Sequence, residues 1–356
     1  MPFRFLCIVE VATIENCMKL LLTTFALTCL LVANASADPY VVRVGAVLPL
    51  SGELAYVGRD IQEGVTLALE EQASNDVRFE FIWEDGKFAP KESVTATQQL
   101  ISTKNVDVIL SLWDTADVIS IRWNPDVAAN HKYTFTFEST YPTYYRDMGK
   151  LIREQGFTKA VFIHEETQAG TRERLAFEKE AQAQGIDLLA VESFQTGEQD
   201  FRGVLTRLLA KQPEIVANEG FPPATPILIQ QLRTLRPGIH HIGFYEAVTE
   251  PELIEGQPFV SQIGFLPEFS KKFETRFGHP FRIRAPHGYE VVRLLSWAYS
   301  SISLKVKPTT AELRDKLETL KDFPSVLGNL SINNTRNIEH SNTFKVMRNG
   351  KLERFK

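Results

Sequence analysis

From Val41 onward the sequence alternates between apolar runs of strand length and amphipathic stretches of helical length. That alternation restricts the chain to an α/β fold with mostly parallel sheets. Val41 to Leu50 is rich in β-branched residues and ends in Pro-Leu-Ser-Gly. The stretch after it sets Ile61, Val65, Ala68 and Leu69 at i, i+4, i+7 and i+8, one face of a helix. Phe79 to Trp83 and Val106 to Ser111 read as strands, with a helix over Lys91 to Thr103 between them, and Tyr133 to Phe137 is the next strand.

A second series starts at Thr158 to Ile163 and continues through a helix over Arg172 to Gln184 and a strand at Ile186 to Val191. Phe201, Val204, Leu205, Leu208 and Leu209 form a helical stripe, followed by a strand at Glu214 to Ala217, a helix over Ala224 to Leu235 and a strand at His240 to Phe244. The two series predict two doubly wound lobes that join near Tyr141 to Lys150. The tail adds helices over Tyr289 to Ile302 and Thr310 to Leu320, then a strand pair turning at Asn349-Gly350, the strongest two-residue hairpin signal. These pieces complete the earlier lobes, so the chain crosses between lobes more than once and makes a hinge. The expected division is a first lobe of 38–145 plus about 268–328, and a second of about 146–267 plus about 329–356.

Ahead of this pattern, Met18-Lys19 is followed by the apolar run LLLTTFALTCLLV and by Ala35-Ser36-Ala37. A basic start, a short apolar core and a small-residue cleavage site are the parts of a secretory signal. Residues 1–37 are therefore expected to be a signal peptide cleaved after Ala37, with translation starting at Met18, since Glu10 and Glu15 do not suit a leader. The apolar run is too short for a stable membrane anchor. All 3 cysteines precede Ala37, so the exported chain has no thiol nucleophile, disulfide or thiolate metal site. Removing 37 of the 356 residues leaves 319, enough for two ordinary lobes. A net charge of −5 without a basic stripe argues against a nucleic-acid partner.

Enzyme signatures are sparse. There is no GxSxG, Walker loop, GxGxxG after the first strand, or HExxH. His240-His241 point to opposite faces of a strand and make poor joint ligands, and Glu70-Glu71 and Glu165-Glu166 read as solvated charge at helices. The better candidates are loops that follow strands, because open α/β sheets bind ligands outside the strands' carboxyl ends. Those loops hold Tyr56, then Trp113-Asp114-Thr115, then Glu138-Ser139-Thr140, then Glu219-Gly220-Phe221 and Phe244-Tyr245-Glu246. Together they suit a polar small molecule held against an aromatic wall.

Four stretches carry a resemblance: VRVGAVLPLSGELAYVGRDIQEGVTLALEE from Val42 to Glu71, QQLISTKNVDVILS from Gln98 to Ser111, FRGVLTRLLAKQPEIVANEGF from Phe201 to Phe221, and HGYEVVRLLSWAY from His287 to Tyr299. Their order resembles the branched-chain amino acid (leucine/isoleucine/valine) binding family of type I periplasmic solute-binding proteins. The resemblance implies two Rossmann-like lobes joined by three crossover strands, in a protein that delivers a small ligand to an ABC-transporter permease or, in some branches, to a sensor. It places first-lobe hydroxyl loops on Trp113, Asp114 and Thr115 and on Ser139 and Thr140, and the second lobe's acidic position on Glu246. The family's first-loop aromatic falls on Val57 with Tyr56 beside it, and a second-lobe tyrosine falls on Ala169.

Trp113, Asp114 and Glu138 depart from the small hydroxyl pattern, and a carboxylate buried beside a ligand carboxylate repels it. Cationic, amide-bearing or neutral ligands thereby gain over a plain α-amino acid. The first crossover is also short, with Thr140 to Arg146 leading directly into a helix expected from Asp147 to Gln155. The reading is an exported binder, not an enzyme, that closes around an amino-acid-like or amide compound in the periplasm. Tyr56, Trp113 and Phe221 would pack on the ligand, Ser139 and Thr140 would donate to it, and Glu246 would hold a positive group. No metal or cofactor is called for. The rivals are a sensory protein of the same fold and an exported hydrolase.

Overall fold

The computed structural model describes residues 40–72, 77–112, 117–123, 131–137, 141–246, 248–264, 266–302 and 306–355. The leader, its cleavage site and its cysteines lie outside the described residues.

In chain order the first series is β1 (Tyr40–Leu48), α1 (Ala55–Glu71), β2 (Val77–Asp85), α2 (Pro90–Lys104), β3 (Val108–Ser111), β4 (Ile119–Arg122) and β5 (Thr134–Phe137). β3, β4 and β5 are buried at every position, as expected of parallel strands covered on both faces. The second series is α3 (Tyr141–Glu154), β6 (Lys159–Glu165), α4 (Gln168–Ala183), β7 (Asp187–Phe194), α5 (Arg202–Leu209), β8 (Ile215–Asn218), α6 (Ala224–Leu235) and β9 (His240–Gly243). The tail supplies β10 (Pro258–Ser261), α7 (Pro267–Phe277), α8 (Ala285–Ile302), α9 (Thr310–Leu317), β11 (Phe323–Ser325), β12 (Gly328–Ile332), β13 (Asn337–Glu339), β14 (Thr343–Arg348) and β15 (Lys351–Arg354).

The first sheet has the order β11-β12-β13-β5-β4-β3-β1-β2, the second β7-β6-β8-β9, and a small third sheet β10-β14-β15. β1 to β5 are mutually parallel, and so are β6 to β9. This is the doubly wound α/β architecture that the alternation predicts, in the arrangement that the family resemblance implies.

Three local outcomes differ from the expectations. β4 was not foreseen; it is four residues long and earns its place by pairing with both β3 and β5. The helix expected from Asp147 begins at Tyr141. Pro142 suits a first helical turn, and Tyr144, Tyr145, Met148, Leu151 and Ile152 form its buried face. The change of sheet expected near residue 329 comes later. β12 and β13 stay with the first sheet, β13 lying parallel to β5, and only from Thr343 does the chain return to pair with β10.

The chain thus leaves the first sheet after β5, returns to that side after β10, and leaves it again between β13 and β14, where β14 pairs with β10 in the third sheet. α7 and α8 pack on α1. The α1–α8 contact is close enough to demand glycine. A Cβ on Gly64 would stand 2.0 Å from the Ala285 carbonyl oxygen, and one on Gly288 2.4 Å from that of Ile61. Asp60 reinforces the seat: its carboxylate accepts the backbone N–H groups of Arg282, Ile283 and Arg284, with Oδ2 2.8 Å from the Arg284 nitrogen. α9 starts at a capping box of Thr309 and Glu312, which satisfies helix-end N–H groups reciprocally. Among the described residues no helix is long and apolar enough to cross a membrane.

Candidate functional site

The carboxyl ends of the strands in both parallel sheets open onto one cavity of about 160 Å³. From the first lobe its wall takes Leu48 and Pro49 at the end of β1, Leu112 after β3 and Trp123 after β4. From the second it takes Ala169 and Glu173 of α4, Glu219 and Phe221 after β8, and Phe244 after β9. Tyr141, Tyr144 and Tyr145 enter from α3, and Ile283 and Arg284 from the segment before α8. An apolar cavity of about 150 Å³ accepts a benzene ring, so this space suits one ring or a branched alkyl group.

The aromatic wall is braced from behind. Tyr145 stands edge-on to Tyr144 at 5.2 Å between centroids and rests on Phe162 and Phe177 at 6.1 and 5.9 Å. Phe221 and Phe244 meet at 5.4 Å. Such edge-to-face packing fixes ring orientation without needing a ligand.

The polar groups are few and unusual. Glu219 is 8% exposed, and its Oε2 has no hydrogen-bond partner. The hydroxyls of Tyr144 and Tyr145 are likewise buried without a partner. Burial pushes the Glu219 carboxyl well above the ordinary carboxylate range; Glu173 pushes it further, and the nearby Tyr145 hydroxyl only partly offsets this. The Tyr145 hydroxyl lies close enough to influence Glu219 but not in hydrogen-bonding geometry. Glu173 keeps some accessible surface, yet burial and Glu165 push its carboxyl up to about 8. Burial, then Glu219, also raises both tyrosine hydroxyls.

The sequence-predicted residues divide. Phe221 lines the cavity, as do Val57 and Ala169. The Tyr56 ring instead lies under Arg282, whose guanidinium is 4.0 Å from its centroid, and the Tyr56 hydroxyl is buried without a hydrogen bond. Glu246 lines a separate cavity of about 230 Å³ with Phe259, Arg282 and Lys345. Its carboxyl is raised by burial and lowered by Lys345. Trp113, Asp114, Thr115, Glu138, Ser139 and Thr140 lie outside the described residues; their neighbours Leu112 and Tyr141 are on the wall. Sequence reasoning named the Glu219-Gly220-Phe221 loop but assigned no role to Glu219, and it did not single out Glu173, Tyr144 and Tyr145. The adjacent tyrosines and the loop position of Glu219 before Phe221 were the available signals.

A family described as periplasmic binding protein matches residues 41–244. No curated protein sequence matches the chain. Among solved structures, a leucine-binding protein LivK from Thermotoga maritima is 18% identical, with a TM-score of 0.77 over 88% of this chain and 98% of that one. A solute-binding protein of an ABC transporter from R. palustris, solved with benzoate, is 19% identical, with a TM-score of 0.77 over 89% and 96%. The branched-chain amino acid binding protein LivJ from Streptococcus pneumoniae, solved with isoleucine, is 18% identical, with a TM-score of 0.77 over 88% and 98%.

Proposed function

The chain belongs to the periplasmic binding protein family, and on that premise we propose that it is a periplasmic solute-binding protein that closes two lobes around a small organic molecule and delivers it to an ABC-transporter permease. The carrying observation is the single-ring-sized cavity walled from the carboxyl ends of both parallel sheets. A ligand touching Leu48 and Trp123 on one side and Phe221 and Phe244 on the other contacts both lobes. It stabilises the closed arrangement by its greater affinity for that state.

The ligand class carried over from the sequence is an amino-acid-like or amide compound. The wall supports a compact apolar body whose hydrogen-bond donor end meets Glu219 and Glu173. The solved relatives bound to isoleucine and benzoate have ligands of comparable size. The family consists of binding proteins, and ligand capture without turnover is the reading for this chain.

The test is a thermal-shift and calorimetric screen with amino acids, amides, benzoates and arylalkyl amines. A ligand at 100 times its Kd adds about 2.7 kcal/mol. Ala169→Trp, which fills the cavity, should abolish binding of any hit. A hit that binds Ala169→Trp and the parent chain equally removes the cavity from the proposal.

A further inference from the structure

Resting on that reading of the cavity, we infer that its ligand is an organic cation without a carboxylate, an alkylated or arylalkyl ammonium whose charge sits among Tyr144, Tyr145, Phe221 and Phe244 and against Glu219 and Glu173. Aromatic rings attract a cation through the negative face of the π system, and a cage of rings is a means of recognising quaternary ammonium groups. Here the rings share one cavity with two carboxyls. The Glu219 side chain is more than nine-tenths buried with its Oε2 lacking a hydrogen-bond partner, and Glu173 shares the same cavity. Ionising a buried carboxyl that has no partner is costly. A ligand cation removes that cost, whereas a ligand carboxylate adds a third acid.

The acidic side chains around the cavity outnumber the basic one on its wall. The charge of Glu165 raises the Glu173 carboxyl further, and that of Glu246 does the same to Glu219. Arg284 is the basic side chain on the wall among the described residues. One of its guanidinium nitrogens is 3.4 Å from His287 Nε2. Burial raises both carboxyls, Glu173 to about 8, so a cation that pairs with their ionised forms binds with release of protons.

Calorimetry on the purified full chain with benzyltrimethylammonium, whose charge does not titrate, tests this against benzoate and L-phenylalanine. The expected result is binding of the cation at least tenfold tighter than of either carboxylate. Its affinity should rise between pH 6 and 8.5, and the heat should vary with buffer ionisation as protons are released. Glu219→Gln should weaken the cation at least tenfold and leave benzoate unweakened; Glu173→Gln serves the same purpose if the first variant fails to fold by circular dichroism. If benzoate or L-phenylalanine binds more tightly than the cation, the inference is overturned while the cavity reading stands. If the cation binds Ala169→Trp undiminished, or no probe binds at millimolar concentration, both are overturned.

Discussion

The guanidinium of Arg282 lies 4.0 Å from the centroid of the Tyr56 ring, so the aromatic that opens α1 is already covered by a cation of its own chain. The same helix holds the backbone of that segment through Asp60. Tyr56 and Asp60 together make α1 a clamp on the chain entering α8. Tyr56→Phe removes a buried hydroxyl that has no partner, and ligand affinity should change less than threefold. A tenfold loss on calorimetric titration would return Tyr56 to the ligand site.

Asp60→Ala should be expensive. It strands the N–H groups of Arg282, Ile283 and Arg284, and hydrogen bonds to a charged acceptor contribute about 1.5–3 kcal/mol each. A loss of about 3 kcal/mol or more is expected in urea unfolding. A loss under 1 kcal/mol would mean that water replaces the carboxylate at no cost.

At the α1–α8 crossing, Gly64→Ala puts a methyl where the Ala285 carbonyl oxygen stands. Backbone cannot yield as a side-chain tip can, so the helices must separate. A destabilisation of about 1–3 kcal/mol or more is expected, while Gly203→Ala, with open space at its Cβ, serves as a control without this clash. Equal unfolding midpoints for the two variants would contradict the close packing.

Stability should depend on pH through buried groups of opposite kind. Burial pushes His241 down to about 3 and His340 down to about 4, and holds His287 well below the ordinary range. Unfolded histidine binds its proton near pH 6.5. Below that pH the unfolded chain takes up more protons than the folded one, and stability falls as pH drops from about 6.5 toward 4. Glu173 and Glu219 act in the other direction. Their folded carboxyls keep protons that the unfolded chain releases near pH 4.5, so their contribution declines as pH rises above about 4.5, for Glu173 through about 8. Melting temperature measured from pH 5 to 9 without ligand should peak and then fall above pH 6.5. In a Glu173→Gln and Glu219→Gln double variant that upper decline should flatten; an unchanged decline would assign it to other groups.

The His241 ring has a defined partner. Asn218 donates to the Tyr245 hydroxyl at 2.9 Å, and that hydroxyl meets His241 Nδ1 at 2.7 Å. Tyr245 therefore donates onward to an unprotonated Nδ1, consistent with the neutral ring. Tyr245→Phe leaves both neighbours short of a partner and should cost about 1–3 kcal/mol, read by denaturant unfolding.

The sequence displayed the fold because burial on both faces writes continuous apolar runs, as in β3, and burial on one face writes a helical stripe, as over Ile61, Val65 and Ala68. It hid what depends on distant partners. β4 and β13 are too short to show a period and exist through the strands beside them. Tyr144 and Tyr145 look like link residues until Met148, Leu151 and Ile152 are counted as one face with them. Phe221 was readable as a loop aromatic at a strand end. The role of Glu219 was not, since only the fold brings Glu173 of α4 and the tyrosines of α3 to the same space.

One pairing bears on how the protein is made. β13 adds Asn337 and Ile338 to the edge of β5 beside Thr136 and Phe137, and the Thr136 hydroxyl donates to the Asn337 side chain. Strand β5 is synthesised some 200 residues before its neighbour. That edge of the first sheet cannot be finished until Ile338 has left the ribosome. Contacts so remote in sequence form slowly, and the delay leaves the polypeptide threadable for longer, as the proposed delivery to the periplasm requires.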